Sequence, residues 1–242
     1  MIHLIYAFIG LVLAGAINWL ADVLPVRSGV MKPGDVSRAP GPAGWLALTQ
    51  RLFPAGRAYP VRRRYLTVEL GMVAIFAILP LLIPNRLDLA VNGFYIAVLI
   101  LVIVTDLEHR LIFNIVTYPM TLIAIGLAFV VGDNQPTSAL LGALTGFLIF
   151  YLFYWVGQIA FGPGALGFGD VSLALMMGAM LGLHRIVFAL VLGILFGGAV
   201  SLILIVTRQI TMRSRTAYGP YLAVAGILML IWGIRVLDWY LA

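Results

Sequence analysis

Ala97-Val98-Leu99-Ile100-Leu101-Val102-Ile103-Val104-Thr105 runs without a charge and closes on Asp106, and this stretch decides the fold. Extended back to residue 88, it nearly fills a window of roughly 20 mostly apolar residues. That is the length a helix rising 1.5 Å per residue needs to cross a bilayer core about 30 Å thick. Working outward, windows of the same kind recur at about 2–22, 66–84, 112–131, 138–161, 170–183, 186–206 and 218–236. The sequence therefore predicts an all-α integral membrane protein, a polytopic bundle of about eight transmembrane helices. The window at 170–183 is short, and a tight turn at Leu183-His184-Arg185 is needed to part it from the next.

Composition excludes the competitors. Of 242 residues, 63% are hydrophobic and 10% charged, and the mean hydropathy is +1.09, whereas a soluble domain carries about 25% charged residues. Disorder and coiled coils fail on the same count. There is no cysteine, which removes disulfides, thiolate nucleophiles and cysteine-based zinc sites.

The charge distribution gives an orientation. The loops 23–65, 106–111, 162–169 and 207–217 hold all the Lys and Arg residues except Arg86, Arg185 and Arg235. By the positive-inside rule those loops are cytoplasmic and both termini lie outside. The net charge of +6 is then a matter of topology and anionic headgroups, so the expected surroundings are the lipid bilayer and not nucleic acid. The expected organisation is a first transmembrane helix at 1–22, a cytoplasmic loop at 23–65 with a short helix around Trp45 to Leu52, and a seven-helix membrane core at 66–242. The first helix has no basic segment ahead of it, and Asn18 and Asp22 replace a signal peptide's small-residue cleavage site. It reads as retained.

Most of the nine acids sit in loops or at helix ends, among them Asp22, Asp35, Asp88, Asp133 and Asp238. Asp106 and Asp170 differ. Asp106 ends the third span where it reaches the cytoplasmic face, and Asp170 opens the sixth from the same face after the glycine-rich 162–169. Taken singly, Asp170 reads as a helix cap and Asp106 as a partner of Arg110. Taken together, two carboxyls at one apolar boundary suit an aspartic hydrolase, because close like charges cannot both ionise and the pair holds one proton.

Gly167-Phe168-Gly169-Asp170 has the Gly-x-Gly-Asp form of membrane aspartyl proteases, which include presenilin-like enzymes and prepilin peptidases. Thr105-Asp106-Leu107-Glu108-His109-Arg110-Leu111-Ile112-Phe113-Asn114 resembles the segment around the first catalytic Asp of prepilin peptidases. Gly15 to Pro25, Arg64 to Leu70 and Tyr218-Gly219-Pro220-Tyr221-Leu222-Ala223 are similar to the same family, in the family's order. The resemblance implies cleavage of the short basic leader of type IV prepilins or pseudopilins on the cytoplasmic side of the bacterial inner membrane. It makes Asp106 and Asp170 the catalytic pair, with Gly167 and Gly169 as supporting glycines and no metal in proteolysis. Many members also methylate the new N-terminus with S-adenosylmethionine. Three departures stand out: Phe113 replaces a Pro, Ser172 stands where a Lys often follows the second Asp, and the first cytoplasmic loop lacks the paired Cys-x-x-Cys of many bacterial members.

Glu69 and Glu108 are candidate contacts for a basic leader, set against an ion pair of Glu69 with Arg63 or Arg64 and a solvated Glu108. Tyr218-Gly219-Pro220 reads as packing at the start of the last span. His3, His109 and His184 lie on separate elements and form no metal pattern. A proton- or cation-coupled transporter would place its acids near mid-membrane with inverted repeats, and neither is seen. A catalytically idle assembly scaffold would not need both aspartates and both glycines. A presenilin-type enzyme would cut within a helix and not just ahead of one.

Overall fold

The computed structural model describes residues 2–30, 63–131, 134–162, 166–209 and 218–241. Their helices are α1 (Ile2–Arg27), α2 (Arg63–Leu82), α3 (Arg86–His109), α4 (Asn114–Leu127), α5 (Pro136–Phe161), α6 (Phe168–Leu181), α7 (Leu183–Val206) and α8 (Gly219–Leu241). Each answers to one of the eight windows, and no strand occurs among the described residues. Six are long and apolar enough to cross a membrane. The other two, α4 and α6, have 14 residues each and rise about 21 Å, less than the bilayer's apolar core. The protein is thus a polytopic helical membrane protein. The helix expected near residues 45–52, Asp35 and Asp133 lie outside the described residues.

The chain divides into two compact units, Met1–Leu101 and Val102–Ala242. In the first, α1 packs along α2 closely enough that a Cβ on Gly10 would stand 2.7 Å from the Met72 carbonyl oxygen. Asp22 sits near the end of α1, as read from sequence, and is buried. Arg64 Nη2 donates to its Oδ1 at 2.8 Å and Tyr65 Oη to its Oδ2 at 2.6 Å. Asp88, in the first turn of α3, is likewise buried, at 4% exposure. Such charges tolerate an apolar setting only when paired. Asp22→Ala strips the buried Arg64 guanidinium of this carboxylate, and truncating one side of a buried pair costs about 3–5 kcal/mol. A clear drop in melting temperature in detergent is expected, with Asp22→Asn falling less because the Tyr65 hydroxyl keeps an acceptor.

In the second unit α6 is buried along nearly its whole length, and α5 lies against it through glycines. A Cβ on Gly178 would collide with the backbone of Gly142, and one on Gly146 with the carbonyl of Ala174. Small residues four apart permit this approach of two backbones. The turn between α6 and α7 falls at Gly182 and not at Leu183-His184-Arg185. Gly182 takes φ 78°, a conformation glycine reaches without penalty. Arg185 needs no loop because its Nε donates to the Leu181 carbonyl at 2.7 Å. Asn134 Nδ2 donates to Ala179 O at 3.0 Å, and Ser138 Oγ accepts from the Leu183 N–H at 3.1 Å. These bonds satisfy groups that the closing helix leaves without intrahelical partners.

Candidate active site

The site lies in the second unit, where the C-terminal turn of α3 meets the first turns of α4, α6 and α8. After Asp106 the chain turns sharply. The Arg110 N–H bonds back to the Asp106 carbonyl at 2.8 Å, and Arg110 adopts a left-handed φ of 54°. Asp106 is 4% exposed, and its Oδ2 has no conventional hydrogen-bond partner among the described residues. The Gly219 backbone N–H and the Arg110 charge both act on its carboxyl. A Cβ on Gly219 would stand 2.6 Å from that Oδ2, so glycine is what lets the start of α8 close over Asp106.

Asp170 is 8% exposed. It is not the cap of α6 but the third helical residue, Gly167 holding the cap position. Its N–H donates to the Gly167 carbonyl at 3.1 Å, and its carboxyl receives the Gly167 N–H in return. This reciprocal pattern fixes a side chain at the third helical position. Asp106 lies close enough to act on Asp170 electrostatically, after burial the second influence on that carboxyl.

Ile112 lies against the glycines that neighbour both aspartates. A Cβ on Gly169 would meet Ile112 Cβ at 2.9 Å, and a Cβ on Gly219 would meet Ile112 Cδ1 at 3.0 Å. Gly169 and Gly219 therefore flank one branched side chain, the first beside Asp170 and the second against Asp106. Tyr218, just ahead of Gly219, donates from Oη to the Ile194 carbonyl at 3.2 Å. Burial, and after it the charge of Asp170, pushes the Tyr218 phenol above its ordinary value, so it remains a neutral donor. On the other side, Phe168 meets Tyr154 edge-on at 5.8 Å.

The structure thus brings together Asp106, Asp170, Gly167 and Gly169. Glu108 is exposed on the last turn of α3, 3.7 Å from His109. Glu69 belongs to the first unit and is fully buried. The sequence does not single out Ile112, and it gives Gly219 only a packing role beside Tyr218 and Pro220. The signal for Gly219 was a glycine before a helix-starting Pro220 in a segment at the same face.

The fold and this pair define a class before any comparison: a polytopic helical membrane protein with two buried aspartates where helix ends converge. A model of the type IV leader peptidase family matches residues 93–202, which include both. A protein of Aeromonas hydrophila named prepilin leader peptidase/N-methyltransferase is 31% identical over 81% of this chain and 67% of its own length. One of that name in Xanthomonas campestris pv. campestris is 30% identical over 81% of this chain and 68% of its own. An Aeromonas salmonicida relative, also of that name, is 33% identical, but over 60% of this chain and 50% of its own length. The matches thus span about half to two thirds of these relatives. No solved structure matches the chain. The chain belongs to the type IV leader peptidase family.

Proposed function

We propose that this chain is an aspartic endopeptidase of the bacterial inner membrane that removes the short basic leader of type IV prepilins or pseudopilins on the cytoplasmic side. The observation that carries the reading is the buried pair Asp106 and Asp170, linked electrostatically and flanked by Gly219 and Gly169 on a shared Ile112. In this mechanism the ionised member takes a proton from water while the protonated member donates to the scissile carbonyl. The resulting tetrahedral intermediate collapses as a proton passes to the leaving amine. Water attacks the carbonyl carbon, the C–N bond breaks, and the pair ends with the one proton it began with. The two roles belong to the pair and are not divided between its members.

The positive-inside rule applied to the basic loops supports a cytoplasmic site, the side on which the leader of an inserted prepilin would be presented. Exposed Glu108 offers that leader an opposite charge at the rim of the site. Glu69 can meet it only through a rearrangement that uncovers a residue now fully buried.

Methylation of the new N-terminus is the second half of the proposal, and S-adenosylmethionine would be its methyl donor. Among the acids of the first unit, Asp22 is held by Arg64 and Tyr65. No step is derived through the donor.

Co-expression with a tagged prepilin in a host lacking its own prepilin peptidase tests both halves by intact mass of the pilin. Loss of the leader is expected, and an added methyl mass would establish the second activity. Uncleaved pilin across several candidate substrates would sink the reading.

A further inference from the structure

The segment between α3 and α4 is pinned at two points. At the first, Ile112 is wedged between Gly169 and Gly219, at the distances given above. At the second, Ser172 Oγ donates to Asn114 Oδ1 at 2.9 Å. The Ser172 hydroxyl also lies 2.9 Å from the Gly169 carbonyl, and the residue is 1% exposed. Asn114 is the first residue of α4, and Ser172 is two residues beyond Asp170. A hydroxyl has one proton to give, so the buried Ser172 shares it between two acceptors, one on its own first turn and one on the neighbouring helix.

This arrangement has a mechanical consequence. Ile112 can act as a spacer only while the chain on its C-terminal side is held. On its N-terminal side the Arg110 N–H bonds to the Asp106 carbonyl at 2.8 Å, a tie within the segment that carries Asp106. The hold onto the turn of α6 that carries Asp170 is at Asn114, through Ser172.

We propose that Ser172 and Asn114 are positioning residues for the aspartate pair: their hydrogen bond ties the first turn of α4 to that of α6, keeps Ile112 between Gly169 and Gly219, and so sets the separation of the two carboxyls. The inference rests on the aspartic-peptidase reading and deepens it. Releasing the tie lets the carboxyls drift apart. Reaction geometry suffers, because misplacement by about 1 Å can cost up to about a hundredfold in rate. The repulsion that splits the pair's two ionisations also weakens, so the two apparent pKa values converge. A role confined to folding would lower the amount of active protein without moving those values.

The test is the pH–rate profile of prepilin cleavage by the full chain in proteoliposomes, comparing wild type with Ser172→Ala, Asn114→Ala, the double variant and Ser172→Thr. Asp106→Asn and Asp170→Asn run in parallel. Ser172→Ala and Asn114→Ala are each expected to lower kcat roughly tenfold at unchanged KM and to narrow the pH–rate bell. The double variant should be no worse than either single one, since both remove the same bond. Ser172→Thr, which keeps the hydroxyl, should restore rate and bell width. An unchanged bell in Ser172→Ala, with or without a lower rate, overturns the inference, as does additive loss in the double variant. If the wild type cleaves and the Asp→Asn variants do not, the peptidase reading stands and the Ser172 series alone decides. If the Asp→Asn variants cleave as well as wild type, or the wild type does not cleave, both fall together.

Discussion

Asp106→Asn and Asp170→Asn each abolish leader cleavage, by about a thousandfold or more, in protein that still inserts and keeps its helical content. Asparagine has nearly the volume of aspartate, so the space under Gly219, where a single Cβ would already press on Asp106 Oδ2, is not overfilled. At Asp170 the amide oxygen can still accept the Gly167 N–H, so the start of α6 survives. What is lost is the proton site: an amide neither takes a proton from water nor carries one to a carbonyl. General acid–base groups are each worth about 100- to 10,000-fold, and residues that act as one unit do not add. The double variant should therefore be no slower than either single variant. Pilin intact mass reads the outcome, with tryptophan fluorescence and membrane fractionation as controls for folding and insertion. Residual cleavage within tenfold of wild type in a well-inserted Asn variant would mean that the carboxyls are structural and that water is activated elsewhere.

The helices were legible because each apolar window is local, and a span needs nothing beyond its own length and hydrophobicity. What the sequence could not carry were pairings between distant residues. Asp22 was legible as a helix-end acid but not as a buried, paired one, because its partners, Arg64 and Tyr65, lie across the long loop. Arg185 looked like a turn residue because an arginine in an apolar stretch asks for water, and the structure gives it the Leu181 carbonyl instead. That left Gly182, with its positive φ, to make the turn one residue earlier. Asp106 and Asp170 could be paired from sequence because two independent motifs put them at one face. Ile112 and Gly219 could not, since a wedge between two glycines exists only once three separate segments have met. Tyr218-Gly219-Pro220 was read as packing. The packing is real, but what Gly219 packs against is the Asp106 carboxyl.

Gly178→Val is expected to be the most damaging substitution away from the aspartates, and Gly178→Ala already harmful. At this position the two helices meet backbone to backbone. A Cβ on Gly178 would fall on the Gly142 carbonyl and within 2.8 Å of Ala143 Cα, with no flexible side chain to yield. Overpacking a core with movable side chains costs about 1–3 kcal/mol, and a rigid seam has fewer ways to relax. Within a membrane the loss is sharper in kind, because helices there associate through close van der Waals contact and small residues make that contact possible. The damage should reach the chemistry, since α6 carries Asp170 two turns, about 12 Å, above Gly178. If α6 is pushed from α5, Gly169 moves against Ile112. Gly126→Ala provides the contrast: nothing lies within 4 Å of the added methyl, and replacing a helical glycine by alanine is worth roughly 0.5–1 kcal/mol in favour of the helix. Melting curves in detergent should thus move in opposite directions for two substitutions of the same size, with cleavage falling only for the Gly178 variants. If Gly178→Val melts with wild type, the α5–α6 seam is looser than its geometry demands, and α6 must be held in register chiefly by α4 and α7.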